Sequence, residues 1–354
     1  MTDSSIYHDI ETRTGGDIYI GVVGPVRTGK STFIKRFMDT LVLPNMGSEY
    51  KKERAQDELP QSAAGRTIMT TEPKFIPENA VKVSLPSNAS LNVRLIDCVG
   101  YIVPSSLGYV ENDKPRMVKT PWFPEEIPFN MAAEIGTGKV ITEHSTIGLV
   151  ITTDGSISDI PRDEYEEAEE RVIKELKEIN KPFVVLLNCV YPETASAKEL
   201  ASRLTEKYAV PVIPVNCLEM NESQIRDILG AVLYRFPVRE ISVEFPSWVM
   251  SLPVEHWLRA SLVQSVKTAS LSVKCVSDVG LVCDGVKSNE YVQSSVITSI
   301  NLGSGSAKIE TVLMRELFYK IIAEQTGLEI ESEQDLVFRL NELSKMKKQY
   351  DRLK

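Results

Sequence analysis

An α/β fold on a parallel-rich sheet, followed by a smaller α+β domain, is what this sequence predicts, and three observations lead there. Short apolar runs alternate with amphipathic polar stretches from Asp17 to about Phe236, the rhythm of a parallel sheet covered by helices. A glycine-rich turn sits where the first apolar run meets the first helical stretch. Near residue 238 the alternation stops, and strand-like and helical segments mix. The expected organisation is an N-terminal segment over 1–16, a first domain over 17–238 and a second over 239–354. A chain of 354 residues exceeds what one core usually organises, which agrees with two domains.

The elements follow in order. IYIGVVG (18–24) is a strand running into the glycine turn, and KSTFIKRFMDTLVLP has helical periodicity. The polar stretch NMGSEYKKERAQDELPQSAAGRTIMTTEP reads as a long functional loop. KFIPENAVKVSL and LNVRLID (91–97), separated by PSNAS, form a predicted hairpin whose second strand ends on Asp97. After another long loop come STIGLVITTD, the acidic helix PRDEYEEAEERVIKELKEIN, the strand FVVLLN (183–188), a helix near 195–208, the strand VPVIPVN (210–216) and a helix near 221–235. The second domain opens with strand-like EISVEFPSWVMSL and helical VEHWLRASLVQSVKTA. Strands near 292–301 and 307–313 and two C-terminal helical stretches complete it. The last stretch, SEQDLVFRLNELSKMKKQYDRLK, is strongly polar and has no glycine or proline stop.

Composition narrows the function. A net charge of −9 leaves no basic footprint for nucleic acid. The N-terminus has neither a basic start nor an apolar run, and no stretch reaches the roughly 18 apolar residues of a membrane span, so a cytoplasmic protein without a transmembrane segment is expected. Cys98, Cys189, Cys217, Cys275 and Cys283 lie mostly inside apolar runs without C-x-x-C spacing and read as buried thiols. Trp122, Trp248 and Trp257 are expected in the core.

Gly24-Pro25-Val26-Arg27-Thr28-Gly29-Lys30-Ser31 fits G-x-x-x-x-G-K-[ST] without a mismatch, between a predicted strand and a predicted helix. In such a loop the backbone N–H groups curl around phosphates, Lys30 neutralises β/γ oxygens and the Ser31 hydroxyl ligates Mg²⁺. Asp97-Cys98-Val99-Gly100 ends a strand where a carboxylate can hold Mg²⁺ through water and a glycine N–H can meet the γ-phosphate. Thr70 and Thr71 close the long loop, where a threonine can ligate the metal and sense the γ-phosphate. The expected nucleotide-binding set is Gly24 to Ser31 with Thr32, Gly100 and Asn188. Lys30, Thr70, Thr71 and Asp97 are the expected catalytic residues, and Ser31, Thr71 and Asp97 the expected Mg²⁺ side. These motifs point to a Ras-like (TRAFAC-type) P-loop NTPase domain.

Departures from that group matter as well. Its guanine-specific members carry Asn-Lys-x-Asp after a strand; here the stretch is Asn188-Cys189-Val190-Tyr191, which favours adenine, with ATP and Mg²⁺ as cofactors. Tyr101 stands where Ras has a water-orienting glutamine, so another group must serve or hydrolysis is slow. Arg27 reads either as a built-in arginine finger or, the preferred reading, as a solvent-exposed loop arginine.

The runs GVVGPVRTGKSTFIKRFM, RAQDELPQSAAGRTIMTTEPKF, RLIDCVGY, PRMVKTPWF, AAEIGTGKVITEHSTIGLVITTDGSI and FPSWVMSL closely resemble the stage IV sporulation protein A family, spore-coat morphogenetic ATPases of endospore-forming bacteria. The likeness covers at least residues 6–258. It implies an ATPase that polymerises on hydrolysis and forms the basement layer of the coat at the forespore surface, on the mother-cell side. It also implies a small amphipathic forespore-membrane peptide, stage V sporulation protein M, and coat proteins as partners. By this resemblance the phosphate-loop pair falls on Lys30 and Ser31, the Mg²⁺-side aspartate on Asp97 and the paired threonines on Thr70 and Thr71. Family members continue well past position 354, so a C-terminal region is expected to be absent. Two rival readings stay open: a GTP-driven switch, and a scaffold that binds nucleotide without turnover.

Overall fold

Strands that are apolar on both faces need cover on both faces, and the two most continuous apolar runs of the chain sit in the middle of a sheet. The computed structural model describes residues 12, 14–15, 17–47, 49–60, 73–84, 90–106, 108–111 and 114–353. The chain divides into two units, Met1–Pro237 with Asn301–Gly305, and Val238–Ile300 with Ser306–Lys354. Along the first unit lie β1 (Asp17–Val23), α1 (Lys30–Phe37), α2 (Glu49–Asp57), β2 (Lys74–Ser84) and β3 (Ser90–Asp97). Four short strands follow, β4 (Val110–Glu111), β5 (Lys114–Pro115), β6 (Met117–Thr120) and β7 (Phe123–Pro128), then α3 (Phe129–Lys139). The unit continues through β8 (Ile147–Thr153), α4 (Glu166–Glu178), β9 (Phe183–Asn188), α5 (Ala195–Tyr208), β10 (Val212–Val215) and α6 (Glu222–Leu233).

The six-stranded sheet has the order β10-β9-β8-β1-β3-β2, parallel throughout except for β2, which pairs antiparallel with β3 at one edge. Every residue of β8 and β9 is buried. Register aligns the strand ends: Val22 lies opposite Asp97, Val23 opposite Val150, and Thr153 opposite Asn188. The chain leaves β1 for β3 on one side and later for β8 on the other, so the loop after β1 sits at the point where strand order reverses, where open α/β sheets form their ligand crevice.

The second unit contains β11 (Glu240–Glu244), the short α7 (Ser247–Met250), α8 (Trp257–Ser270), α9 (Val279–Lys287), β12 (Val292–Asn301), β13 (Ser306–Leu313), α10 (Arg315–Thr326) and α11 (Glu333–Leu353). Its three-stranded sheet has the order β11-β13-β12, with β11 parallel to β13. Alternate residues of β13 are buried, the pattern of a sheet covered on one face, and Leu258, Leu262, Val282, Val286, Ile309 and Leu317 share that core. A side chain at Gly285 would meet the Ala269 Cβ at 2.5 Å, so α8 and α9 pack nearly backbone to backbone.

The two stretches expected as long loops, the earlier of them a functional one, carry secondary structure. Residues 101–146 hold two small hairpins and α3, and residues 44–73 hold α2. Neither helix advertised itself. FNMAAEIGTGK spends two of eleven positions on glycine, a poor helix former, and EYKKERAQD has no apolar stripe. The expected strand over EISVEFPSWVMSL ends at Glu244, because Pro246 cannot donate to a ladder and α7 follows it. The expectation of core tryptophans needs a correction: Trp122, Trp248 and Trp257 are each half-buried. Trp248 meets Phe318 edge-on at 5.6 Å and Trp257 meets Tyr291 at 5.1 Å, so these two seal the rim of the second core. All five cysteines are free and buried, and burial pushes the Cys98 and Cys189 thiols up to about 11. Among the described residues no helix is long and apolar enough to cross a membrane.

Behind the crevice lies a buried ion pair. Glu169 on α4 is 0% exposed and takes both Arg162 guanidinium nitrogens, at 2.8 Å each. Tyr208 at the end of α5 donates to Oε1 at 2.7 Å, and the Thr152 hydroxyl of β8 donates to Oε2. One carboxylate thus ties β8, α4 and α5 together. Removing it would leave Arg162 as a charge without its counter-ion and two hydroxyls without their acceptor. Glu169→Ala should therefore lose about 3–5 kcal/mol of stability, read from the midpoint of urea unfolding; a loss under about 1 kcal/mol would mean that water replaces the carboxylate.

Candidate functional site

The loop from Gly24 to Lys30 is held by its neighbours before any ligand arrives. The Val26 N–H donates to the Tyr101 carbonyl at 2.9 Å, which zips the loop to the segment after β3. The Thr28 hydroxyl donates to the Pro25 carbonyl at 3.0 Å inside the loop. α1 opens on Gly29 at φ 91°, and no side chain caps its first N–H groups, the arrangement of a helix N-terminus that can take an anion. A Cβ at Gly29 would strike the Asn188 amide, and one at Gly100, φ 90°, would strike the Gly24 carbonyl and approach the Lys30 ammonium to 2.7 Å. Only glycine fits either position.

Lys30 is 6% exposed, and its ammonium reaches back along the loop to the carbonyls of Pro25 at 2.6 Å and Gly24 at 3.4 Å. Burial lowers its pKa, while Cys98 and Asp97 nearby oppose that shift. A buried ammonium facing the mouth of a glycine loop suits an anion of high charge density. Ser31 donates from its hydroxyl to Asp97 Oδ2 at 2.7 Å. Burial raises the Asp97 pKa, and the Ser31 hydroxyl and Lys30 pull it the other way. Its second oxygen, Oδ1, is buried and has no well-aligned hydrogen-bond partner among the described residues, while the Cys98 N–H beside the carboxylate helps hold its charge. A buried carboxylate oxygen without a partner, beside a hydroxyl oxygen, fits a hard cation that completes its shell with water and phosphate. Among the described residues no group of three or more His, Cys, Asp or Glu side chains could hold a metal by itself.

The remaining expected residues fall into three sets. Gly24, Pro25, Val26, Arg27, Thr28, Gly29, Thr32 and Gly100 all line or border the loop, with Thr32 half-buried in the first turn of α1. Thr70 and Thr71 lie outside the described residues. Asn188 stands beside the loop with its amide engaged at both ends: Nδ2 donates to the Thr28 carbonyl at 3.0 Å and Oδ1 accepts from the Cys217 N–H at 3.1 Å. That makes it a brace between the glycine loop and the end of β10. Arg27 departs from the exposed reading: it is half-buried at φ 63°, next to Tyr165, and burial lowers its pKa.

Tyr101 turns its side chain away from the loop. Its hydroxyl donates to Glu175, the Arg171 guanidinium lies 4.6 Å over its ring, and Arg171 in turn pairs with Glu134 of α3 at 2.9 Å. No motif singled out Glu175, Arg171 or Glu134; the i,i+4 spacing of Arg171 and Glu175 on an acidic helix was the one available signal, and Glu134, on α3, carried none. Beyond Asn188, a cavity of about 560 Å³ opens between the ends of β9 and β10, lined among others by Val190, Tyr191, Thr194, Asn216, Asn221 and Gln224. The loop after β8 closes its near side through the Ser156 hydroxyl, which accepts from the Val190 N–H at 3.0 Å.

Comparison with known proteins agrees with this geometry. Residues 1–237 match the family model described as stage IV sporulation protein A, ATPase domain, and residues 238–354 match the middle domain of the same family. Stage IV sporulation protein A of Bacillus subtilis (strain 168) is 49% identical over 353 residues, that of Bacillus anthracis 48% over 353, and that of Clostridioides difficile (strain 630) 46% over 351. These alignments take in 99–100% of this chain and 72% of the length of each relative. The chain belongs to the stage IV sporulation protein A family.

Proposed function

We propose that the chain binds ATP with Mg²⁺ and hydrolyses it, and that it does so as an assembly protein of sporulation. The observation that carries this is the buried Lys30 ammonium at the mouth of a glycine loop, with the Ser31 and Asp97 oxygens 2.7 Å apart beside it. The sheet order, with one antiparallel edge strand, supports the Ras-like (TRAFAC-type) P-loop class. On phosphate binding, Lys30 exchanges its two carbonyl contacts for charged β/γ oxygens, a stronger hydrogen bond. Ser31, and Asp97 through water, would hold Mg²⁺, which would supply charge neutralisation for the phosphates. Loop amides and the α1 N-terminus hold the phosphates, and the Gly100 N–H and the Thr70-Thr71 pair meet the γ-phosphate. Catalysis is then positioning and electrostatics. The family and the relatives' name support a place in spore-coat morphogenesis: a self-assembling layer on the mother-cell side of the forespore, with stage V sporulation protein M and coat proteins as partners. A scaffold with little turnover is the second reading, favoured by Tyr101, whose hydroxyl serves Glu175 rather than an attacking water.

Lys30→Ala should abolish phosphate release from ATP and weaken nucleotide binding, because Lys30 carries the ammonium buried in the glycine loop, where the β/γ oxygens would lie. Wild-type turnover in that variant would remove the assignment. ATP should bind at least about tenfold more tightly than GTP, about 1.4 kcal/mol, since Tyr191 occupies the place of the aspartate that rewards guanine. Equal affinities in a competition titration would reinstate the GTP switch. Thr70→Ala combined with Thr71→Ala should leave ATP affinity within about threefold while hydrolysis falls at least about tenfold, because contacts made only around an ordered γ-phosphate act on kcat. A double variant with unchanged phosphate release would make the threonines ordinary strand-entry residues.

A further inference from the structure

No residue of α11 is buried along its 21 positions, whereas α8, α9 and α10 each sink apolar side chains into the core of the second unit. The helix is nevertheless not uniformly polar. Leu336, Leu340, Leu343, Met346, Tyr350 and Leu353 recur at steps of 4, 3, 3, 4 and 3. That spacing is close to the 3.5-residue repeat that keeps a seam facing a left-handed partner helix. Water reaches most of the seam: Leu343 is 46% exposed, Met346 63% and Leu353 88%. An apolar stripe of this length on a surface marks an interaction site.

Charge on the same helix says what the partner is. The first half carries Glu333, Asp335 and Glu342 against Arg339; the second carries Lys345, Lys347, Lys348 and Arg352 against Asp351. Two such helices side by side in parallel would set acid against acid and base against base along their whole length. In antiparallel order the acidic half of each lies on the basic half of the other. The seam then centres between Leu343 and Met346, with Leu336 near Leu353 of the second copy at both ends. Such a contact is isologous and closes on itself as a dimer.

We propose that α11 pairs antiparallel with α11 of a second copy of this chain, over about 31 Å of helix. This deepens the self-association proposed above by giving it one surface, and to that extent rests on that reading; the pairing itself needs no nucleotide. It predicts a dimer by size exclusion with light scattering in nucleotide-free buffer at micromolar concentration. Leu343→Glu with Met346→Glu should raise the dimer dissociation constant at least about tenfold, with ATP turnover and far-ultraviolet circular dichroism unchanged. Reversing Lys345, Lys347 and Lys348 to Glu should also break the dimer by placing acid on acid, and adding Glu333→Lys, Asp335→Lys and Glu342→Lys should restore it. Spin labels on a cysteine placed at Gln334 should lie about 30 Å apart across the dimer. A parent chain that stays monomeric to about 100 µM, a Leu343/Met346 variant that still dimerises, or labels in near contact would overturn the proposal; the first would give the face to a different partner. Lys30→Ala should dimerise like the parent, so loss of the nucleotide reading and loss of this one are separate results.

Discussion

A parallel strand delivers its C-terminal end at the same edge of the sheet as its neighbours, and β1 has parallel neighbours on both sides. That constraint organises everything else in the first unit. Because Val22 faces Asp97 across the ladder, the glycine loop and the carboxylate leave the sheet side by side. Because Thr153 faces Asn188, the loop after β8 and the brace that supports the phosphate loop emerge together. A slip of one residue between β1 and β3 would turn Asp97 to the opposite face, since strand side chains alternate. The site is thus a property of sheet register before it is a property of any side chain.

Register puts charged groups where solvent is scarce, and the loop has to make that tolerable. Lys30 is nearly enclosed, yet its ammonium has two carbonyl acceptors in the same loop. Asp97 keeps one oxygen for Ser31 and leaves the other buried without a well-aligned partner among the described residues. A buried unsatisfied carboxylate oxygen costs stability, and native proteins keep few of them away from functional sites. Glu169 is the contrast. It is more deeply buried, at 0% exposure, but both its oxygens are engaged by Arg162, Tyr208 and Thr152, the arrangement of a structural charge. The two carboxylates differ in what is left unsatisfied, and that difference separates the candidate site from the scaffold.

How legible this was from the sequence depended on whether a signal was local. G-x-x-x-x-G-K-S between a strand and a helix is local in every respect, and the loop and the start of α1 stand where that pattern puts them. FVVLLN could be read as a strand because five consecutive apolar residues end on Asn188 within a regular alternation of strand and helix. α3 could not, because two glycines lower its helix propensity while one of them serves close packing: a Cβ at Gly136 would meet Trp122 at 3.3 Å and Pro73 at 3.5 Å. Asn188 was legible as a residue near the nucleotide but not as a brace, since its partners, Thr28 and Cys217, are 160 and 29 positions away. Arg27 reads as exposed because loop arginines usually are; its partial burial, and its electrostatic neighbour Tyr165 138 positions on, come from the fold.

Tyr101 shows how one substitution in a loop can be absorbed by distant residues. Following Gly100 directly, it has its backbone carbonyl hydrogen-bonded to Val26 of the phosphate loop while its ring sits under Arg171 and its hydroxyl rests on Glu175. Burial and the Glu175 carboxylate together hold the phenol well above its usual pKa, so the hydroxyl stays a donor and cannot act as a base. The segment after Asp97 is therefore gripped at both ends, by the loop through its backbone and by α4 through its side chain. Arg171 extends the grip to Glu134 on α3. Any movement of Gly100 toward a γ-phosphate has to pull on that chain of contacts, which couples the proposed phosphate site to the α3 and α4 surface by packing and charge alone.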